Sequence, residues 1–163
     1  VRAVGSGFLR GLGGPLTDGE VIEAAGLRIT VLATPGHTAD SLSFLVGDAV
    51  LTADTVLGRG TTVIDDEDGS LTDYLESLRR LQGLGRRAVL PGHGPELDDL
   101  QAVSAMYLAH RQERLDQVRS ALRALGEDAT ARQVVEHVYT DVDEELWDAA
   151  EKSVRAQLDY LRG

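Results

Sequence analysis

The sequence predicts an α/β domain followed by a small helical module. In the first hundred of the 163 residues, short apolar segments alternate with one amphipathic helix and are separated by turns rich in glycine and proline. After Leu97 glycine nearly disappears, and apolar residues recur at helical spacing among alanine and charged residues. We therefore divide the chain into residues 1–100 and residues 101–163, with the boundary between Leu97 and Val103.

Short apolar segments bounded by turn residues are predicted to form the strands. The dipeptide Gly47-Asp48 is a favoured two-residue hairpin turn, so the segments on either side of it should pair in antiparallel fashion. The predicted strands lie around Val21-Ile22 and over Leu27–Leu32, Leu42–Val46, Ala49–Thr52, Thr61–Ile64 and Ala88–Leu90.

The helices are predicted from apolar residues at a period of 3.6 and from capping residues. Leucines at helical spacing indicate one helix from about Leu71 to Leu81, and a longer apolar stripe indicates another from Val103 to Leu125. Thr130 is a suitable N-cap for a short helix through Tyr139, and Asp143 can cap a last one. The last three helices should pack around Leu122, Val135 and Trp147.

Composition excludes several classes of protein. Hydrophobic residues make up 42% and charged residues 26%, as in ordinary soluble domains, and no apolar run approaches the ~20 residues of a membrane span. We expect a cytoplasmic protein without a membrane partner. The absence of cysteine excludes disulfides, cysteine-ligated zinc and a cysteine nucleophile. The net charge of −11 shows no basic footprint for nucleic acid.

Three residues suited to metal binding follow predicted strands. They are His37 in Thr-Pro-Gly-His-Thr, Asp54 in Thr-Ala-Asp-Thr and His93 in Pro-Gly-His-Gly. Imidazole nitrogens suit zinc, and a carboxylate can bridge two cations. A single histidine after Pro-Gly is more often a turn residue, and Asp54 alone could cap a turn. The three in this order, at strand ends, form a more specific signal.

These segments resemble a known family. The sequences TPGHTAD (34–40), TADTVLG (52–58) and PGHGP (91–95) are similar to signature segments of the metallo-beta-lactamase superfamily. The sequences LGRGTTVI (57–64) and YLAHRQER (107–114) resemble its lactamase-like endoribonuclease subfamily, whose members carry a C-terminal winged-helix module. The resemblance implies the second half of an αββα sandwich followed by a small winged-helix-like domain.

The resemblance also implies roles for the three residues. The residue matching His37 binds a first metal, the one matching Asp54 bridges two metals, and the one matching His93 binds the second. A complete site would hold two zinc ions, with a metal-bound hydroxide as nucleophile; no side chain is assigned a catalytic role. The family's leading motif, His-x-His-x-Asp-His, is absent, since no two of the four histidines are two residues apart. The chain therefore resembles the C-terminal portion only, and we expect the 163 residues alone to be inactive.

Three further residues are candidates for substrate contact or for support of the metal ligands. Thr38 follows His37, and it could support that imidazole or merely pack at a strand edge. His110 and Arg111 match a pair that, in the resembling subfamily, lies near the helix bordering the active site. A capping or interface role for that pair is equally consistent with the sequence.

The function implied is metal-dependent hydrolysis, and the resemblance favours RNA as substrate. Residues 103–163 carry 8 basic and 12 acidic residues, net −4, so we expect this module to bind nucleic acid weakly. Two alternatives stay open: a glyoxalase-II-like thioesterase acting on a small molecule, and a metal-free interaction protein with a degenerate lactamase fold.

The predicted half-domain should leave an apolar sheet face in need of a cover. Val31, Leu42, Phe44 and Val50 are the candidates for this stripe. Large bare apolar patches are unusual on soluble monomers, so we expect a partner on this face. It would be the missing N-terminal half, a swapped copy or a second chain.

Overall fold

The computed structural model describes residues 15–64, 67–139 and 147–163. Its single sheet has the strand order β1-β2-β3-β4-β5. The pairs β1·β2, β2·β3 and β3·β4 are antiparallel, and β4·β5 is parallel. The strands are β1 (Val21–Ala24), β2 (Leu27–Ala33), β3 (Leu42–Val46), β4 (Ala49–Ala53) and β5 (Ala88–Pro91). The predicted hairpin at Gly47-Asp48 is confirmed, because β3 and β4 pair across it.

The predicted helices are found close to their expected bounds. They are α1 (Leu71–Gly83), α2 (Leu100–Leu125), α3 (Ala131–Val138) and α4 (Trp147–Arg162). Thr130 forms a capping box with Gln133, as its N-cap prediction requires. The predicted cap at Asp143 lies outside the described residues. None of the helices in the described ranges is both long and apolar enough to cross a bilayer.

The chain forms two compact units, a first one up to Tyr107 and a second one from Leu108 onward. The division predicted at residue 100 coincides with the start of α2 and remains a prediction. In the second unit, Leu122 and Val135 are buried in one apolar cluster with Val154 and Leu158, and Trp147 packs against it half-buried. This cluster confirms the predicted core of the helical module.

The strand predicted over Thr61–Ile64 is wrong. These residues have no strand partner, because two of them bond to loops instead of to a ladder. The Thr62 hydroxyl donates to the Asp54 carbonyl at 2.7 Å, and the Val63 carbonyl lies 2.7 Å from Nδ1 of His37. These β-branched residues therefore lie in a loop that links the segment after β4 to the segment after β2.

The predicted apolar stripe combines residues from both faces of the sheet. Val31 and Phe44 are register partners, and Leu42 shares their face two residues along β3. Val50 pairs with Leu45, the neighbour of Phe44, so it points to the opposite face, where it is fully buried. Including Val50 in the stripe was therefore wrong by one residue of register.

The two faces differ in burial. Val50 shares its face with Leu32 and Val89, and all three are at most 5% exposed. On the other face Val31 is buried, Leu42 and Phe44 are half-buried and Leu51 is 39% exposed. The apolar outer face is thus partly accessible in the described chain.

Candidate metal centre

The three loops with candidate ligands begin at one edge of the sheet. Strands β2 and β4 are both antiparallel to β3, so they run parallel to each other, and β5 runs parallel to β4. Their carboxyl ends therefore lie at the same edge. His37 follows β2, Asp54 follows β4 directly, and His93 follows β5. The topology explains how residues 56 positions apart can belong to one site.

The side chain of His37 is held by a backbone carbonyl. Its Nδ1 lies 2.7 Å from the Val63 oxygen, and a carbonyl can only accept, so Nδ1 carries the proton. In the neutral ring the lone pair is then on Nε2. A histidine that donates one ring N–H to a carbonyl while presenting its other nitrogen has the arrangement usual for metal-ligating imidazoles.

Asp54 carries a buried oxygen without a donor. Its Oδ1 is inaccessible to solvent and accepts no hydrogen bond in the described part of the chain. Nε2 of His93 lies 3.5 Å from this oxygen. The preceding residue, Ala53, has a φ of +45°, a conformation that costs a non-glycine residue about 1–3 kcal/mol. A strained strand end and an unsatisfied carboxylate oxygen at one position are the features expected of a ligand-binding site.

Glycines allow the His93 loop to approach the Asp54 loop. A Cβ on Gly92 would lie 3.0 Å from Oδ1 of Asp54, and the Gly92 N–H donates to the Ala53 carbonyl at 2.7 Å. On the other side of His93, a Cβ on Gly94 would lie 2.9 Å from the backbone nitrogen of Arg59. Glycine is therefore required at position 94, and at position 92 a side chain would crowd the Asp54 carboxylate and the Ala53 backbone.

The loop after Asp54 also contacts the His93 segment. The Gly58 N–H donates to the His93 carbonyl at 2.9 Å, and a Cβ on Gly58 would lie only 2.0 Å from the Pro95 carbonyl oxygen. The backbone around His93 is thus held from two directions, while its imidazole is 79% exposed. The ring remains free to take a ligand.

The structure brings Asp54 and His93 together, and it connects His37 to them through Thr62 and Val63. Across the described ranges, no three His, Asp or Glu side chains are close enough together to hold a metal ion. An imidazole beside a carboxylate is a donor set that suits zinc, but catalytic zinc sites typically have three protein ligands. The shared metal site of the three residues therefore remains a prediction.

Residues 6–93 match the model of the metallo-beta-lactamase superfamily, and residues 130–162 match that of the beta-lactamase associated winged helix domain. The chain belongs to the metallo-beta-lactamase superfamily. This confirms the predicted resemblance, the lactamase fold class and the C-terminal winged-helix module. The superfamily is one of metal-binding proteins and includes hydrolases.

Relatives support the same assignment. Two are beta-lactamase-like protein 2 homologues: one from Drosophila melanogaster, 30% identical over 90% of this chain and 50% of that protein, and one from Caenorhabditis elegans, 35% identical over 76% and 41%. An atrochrysone carboxyl ACP thioesterase from Aspergillus fumigatus is 38% identical over 66% of this chain and 34% of that protein. The chain therefore spans about a third to a half of the length of these curated relatives.

A solved structure agrees with these relatives. A metallo-beta-lactamase family protein from Thermus thermophilus is 31% identical with a TM-score of 0.75, over 91% of this chain and 48% of that one. The similarity to this solved chain thus covers nearly all of the 163 residues.

Thr38, one of the further candidates, acts within the lactamase loop that carries His37. Its hydroxyl donates to the Asp40 carboxylate at 3.1 Å and lies 2.8 Å from the Ser41 hydroxyl. Its carbonyl accepts from the Gly36 N–H at 3.0 Å. These bonds shape the turn on both sides of His37. A contact with substrate remains a prediction.

His110 and Arg111 lie on α2 in the second unit. The Nδ1 atom of His110 is buried and has no hydrogen-bond partner among the described residues. Burial lowers the pKa of His110, and the neighbouring charges of Arg114 and Arg111 lower it further, while Glu113 opposes them. Arg111 is only 5% exposed. A contact of His110 or Arg111 with substrate remains a prediction.

Sequence reasoning missed two side chains that hold the loop after Asp54. The Tyr107 hydroxyl lies 2.9 Å from the Gly60 carbonyl and 3.2 Å from both the N–H and the carbonyl of Leu57. The Tyr74 hydroxyl donates to the Thr55 carbonyl at 2.8 Å. Periodicity assigns both tyrosines to helices, and no local signal predicts which distant carbonyl a buried hydroxyl will contact.

Proposed function

We propose that this chain provides part of the active site of a zinc-dependent hydrolase, with His37, Asp54 and His93 as metal ligands. The observation that carries the proposal is the buried, donor-free Oδ1 of Asp54 beside Nε2 of His93. A buried carboxylate oxygen without a partner is costly, and a metal cation can accept both this carboxylate oxygen and an imidazole nitrogen as ligands.

The chain's own residues prepare the ligands. The Val63 carbonyl fixes the His37 tautomer so that Nε2 presents a lone pair, and Thr62 anchors the backbone of Asp54. Gly92 leaves room beside the carboxylate, where any side chain would crowd Oδ1. Zinc bound there would lower the pKa of coordinated water to roughly 7 and offset negative charge developing on the attacked group.

We propose that the remaining ligands come from outside these 163 residues. Within the described ranges no set of three donors forms, and the curated relatives are two to three times longer than the region they share with this chain. The same outside segment is our proposed cover for the sheet face with Leu42, Phe44 and Leu51. A swapped copy or a second chain would be seen as a change of oligomeric state.

Zinc content and hydrolysis should be compared between the 163-residue chain and a longer protein that includes the preceding segment. We expect two zinc ions and activity only in the longer protein. In that protein Asp54→Asn should lower zinc affinity by at least roughly tenfold. Asp48→Asn, the same change on an exposed turn, is the matched control. Equal zinc content and activity in the Asp54→Asn and Asp48→Asn proteins would refute the ligand assignment. A longer protein with neither zinc nor activity would favour the metal-free interaction protein.

For the substrate, we propose a thioester or ester before RNA. A thioesterase is among the relatives at 38% identity, and the net charge of −11 opposes a polyanion. The endoribonuclease hypothesis is tested by the same protein. We expect turnover of acyl-glutathione thioesters and none of an RNA oligonucleotide. Cleavage of RNA, with an affinity that falls steeply with salt, would reverse this order.

A further inference from the structure

A pocket of about 460 Å³ lies beside the candidate metal centre, entirely within the first unit. One wall is the loop Leu57–Gly60, and the other is formed by Leu97 and the first turns of α2. The side chains of Leu97, Val103 and Met106 give it an apolar lining. Its volume is within the range of small-molecule sites, roughly 300–1,000 Å³.

An apolar side chain at this pocket is left uncovered. Met106 is 57% exposed on α2, although Val103, one turn earlier, is only 9% exposed. Tyr107 fixes the opposite wall by its hydrogen bonds to Leu57 and Gly60, so the pocket does not depend on a loose loop. An apolar surface held open between two fixed walls is suited to an apolar ligand.

Arg59 supplies the charge at this pocket. Its side chain is exposed and forms no hydrogen bond or ion pair with the described residues, whereas most other arginines of the first unit have a partner. The one carboxylate in the lining, Asp99, is already engaged. It accepts from the Ala102 N–H at 2.9 Å and lies 3.8 Å from Nε of Arg86. Among the described residues, the pocket therefore combines apolar walls with one guanidinium that has no ion-pair partner.

The pocket is separated from the candidate ligands by a single loop. Gly58, the residue before Arg59, donates its N–H to the His93 carbonyl at 2.9 Å. The backbone of Arg59 itself is in close contact with Gly94. The pocket and the metal-ligand edge therefore share the loop Leu57–Gly60 as a wall.

We propose that this pocket binds an apolar group that carries one anionic substituent, with the apolar part against Leu97, Val103 and Met106 and the anion on Arg59. The assignment of this group to the hydrolase's substrate rests on the proposed function. Binding in the pocket is independent of the proposed function, because none of the candidate metal ligands lines the pocket.

The test uses 2-naphthoate and its neutral counterpart 2-naphthamide as probes. Binding to the 163-residue chain and to the longer protein is measured by titration calorimetry, with a chelator present so that no metal can hold the carboxylate. We expect 2-naphthoate to bind about fivefold more tightly than 2-naphthamide, as one exposed ion pair allows. Arg59→Gln should remove this preference, and Arg28→Gln, at an exposed arginine of β2, should keep it.

A second variant tests the apolar part. Met106→Trp should fill the pocket and weaken both probes by at least tenfold, while the circular dichroism spectrum stays unchanged because Met106 is exposed. Equal binding of the two probes, or binding unaffected by Arg59→Gln and Met106→Trp, would overturn the proposal. Since the chelator removes metal from the binding assay, hydrolysis that survives in an Asp54→Asn protein, with probe binding intact, would count against the proposed function alone.

Discussion

Replacing Gly58 by alanine should displace the loop that carries His93. The new Cβ would lie 2.0 Å from the Pro95 carbonyl oxygen and 2.6 Å from the Pro95 nitrogen, far inside van der Waals contact. All of these atoms are backbone, so no side chain can rotate away. Relief requires the two loops to separate, which also breaks the 2.9 Å hydrogen bond from the Gly58 N–H to the His93 carbonyl.

The expected cost combines overpacking and the lost hydrogen bond. Overpacking typically costs about 1–3 kcal/mol and a hydrogen bond about 1 kcal/mol, so the free energy of unfolding should fall by about 2–4 kcal/mol. Urea unfolding monitored by circular dichroism measures this difference. Zinc affinity of the longer protein should fall as well, because His93 moves away from Asp54.

The matched control is Gly83→Ala. Gly83 lies at the end of α1, and a Cβ there would meet nothing within 4 Å, so its stability should stay the same or rise by up to about 1 kcal/mol. If Gly58→Ala were within about 0.5 kcal/mol of the unchanged protein, the close contact of the two loops would be wrong.

Substitutions at three further positions each test one feature of the structure. Tyr107→Phe removes the hydroxyl that is hydrogen-bonded to the loop Leu57–Gly60, and it should lower the free energy of unfolding in urea by about 1–3 kcal/mol. An unchanged midpoint would mean that this hydroxyl does not stabilise the loop. Thr130→Ala removes the capping box with Gln133 and should cost about 1 kcal/mol, whereas Thr130→Ser should cost little; equal losses would contradict the cap. The lowered pKa of His110 means that below about pH 6.5 the unfolded chain binds a proton that the folded chain resists, so stability should fall as the pH falls from 7 to 5.5. In urea unfolding at a series of pH values, His110→Gln should reduce the loss of stability between pH 7 and 5.5. An equally steep loss in the variant would refute the burial of a neutral imidazole.

The sequence by itself determined most elements and the family of this protein. The leucines of α1, the Thr130 cap and the Gly47-Asp48 turn are local signals, because each depends on residues within one or two turns of chain. The metallo-beta-lactamase segments are likewise recognisable as short motifs. The strand predicted at Thr61–Ile64 was wrong because it rested on local propensity alone. Its β-branched residues favour a strand, but no neighbouring strand is placed to pair with them.

Only the tertiary structure decided how the site is assembled. That β2, β4 and β5 end at one edge follows from strand order, which hydrophobic patterning does not encode. The tautomer of His37 depends on a carbonyl 26 residues away, and the exposure of Arg59 depends on the absence of any partner around it among the described residues. Such contacts join positions that are distant along the chain, and their geometry arises only when the whole core has packed. The three ligand candidates and the absence of the leading His-x-His-x-Asp-His motif could therefore be named from sequence, whereas the close approach of Asp54 to His93 could not.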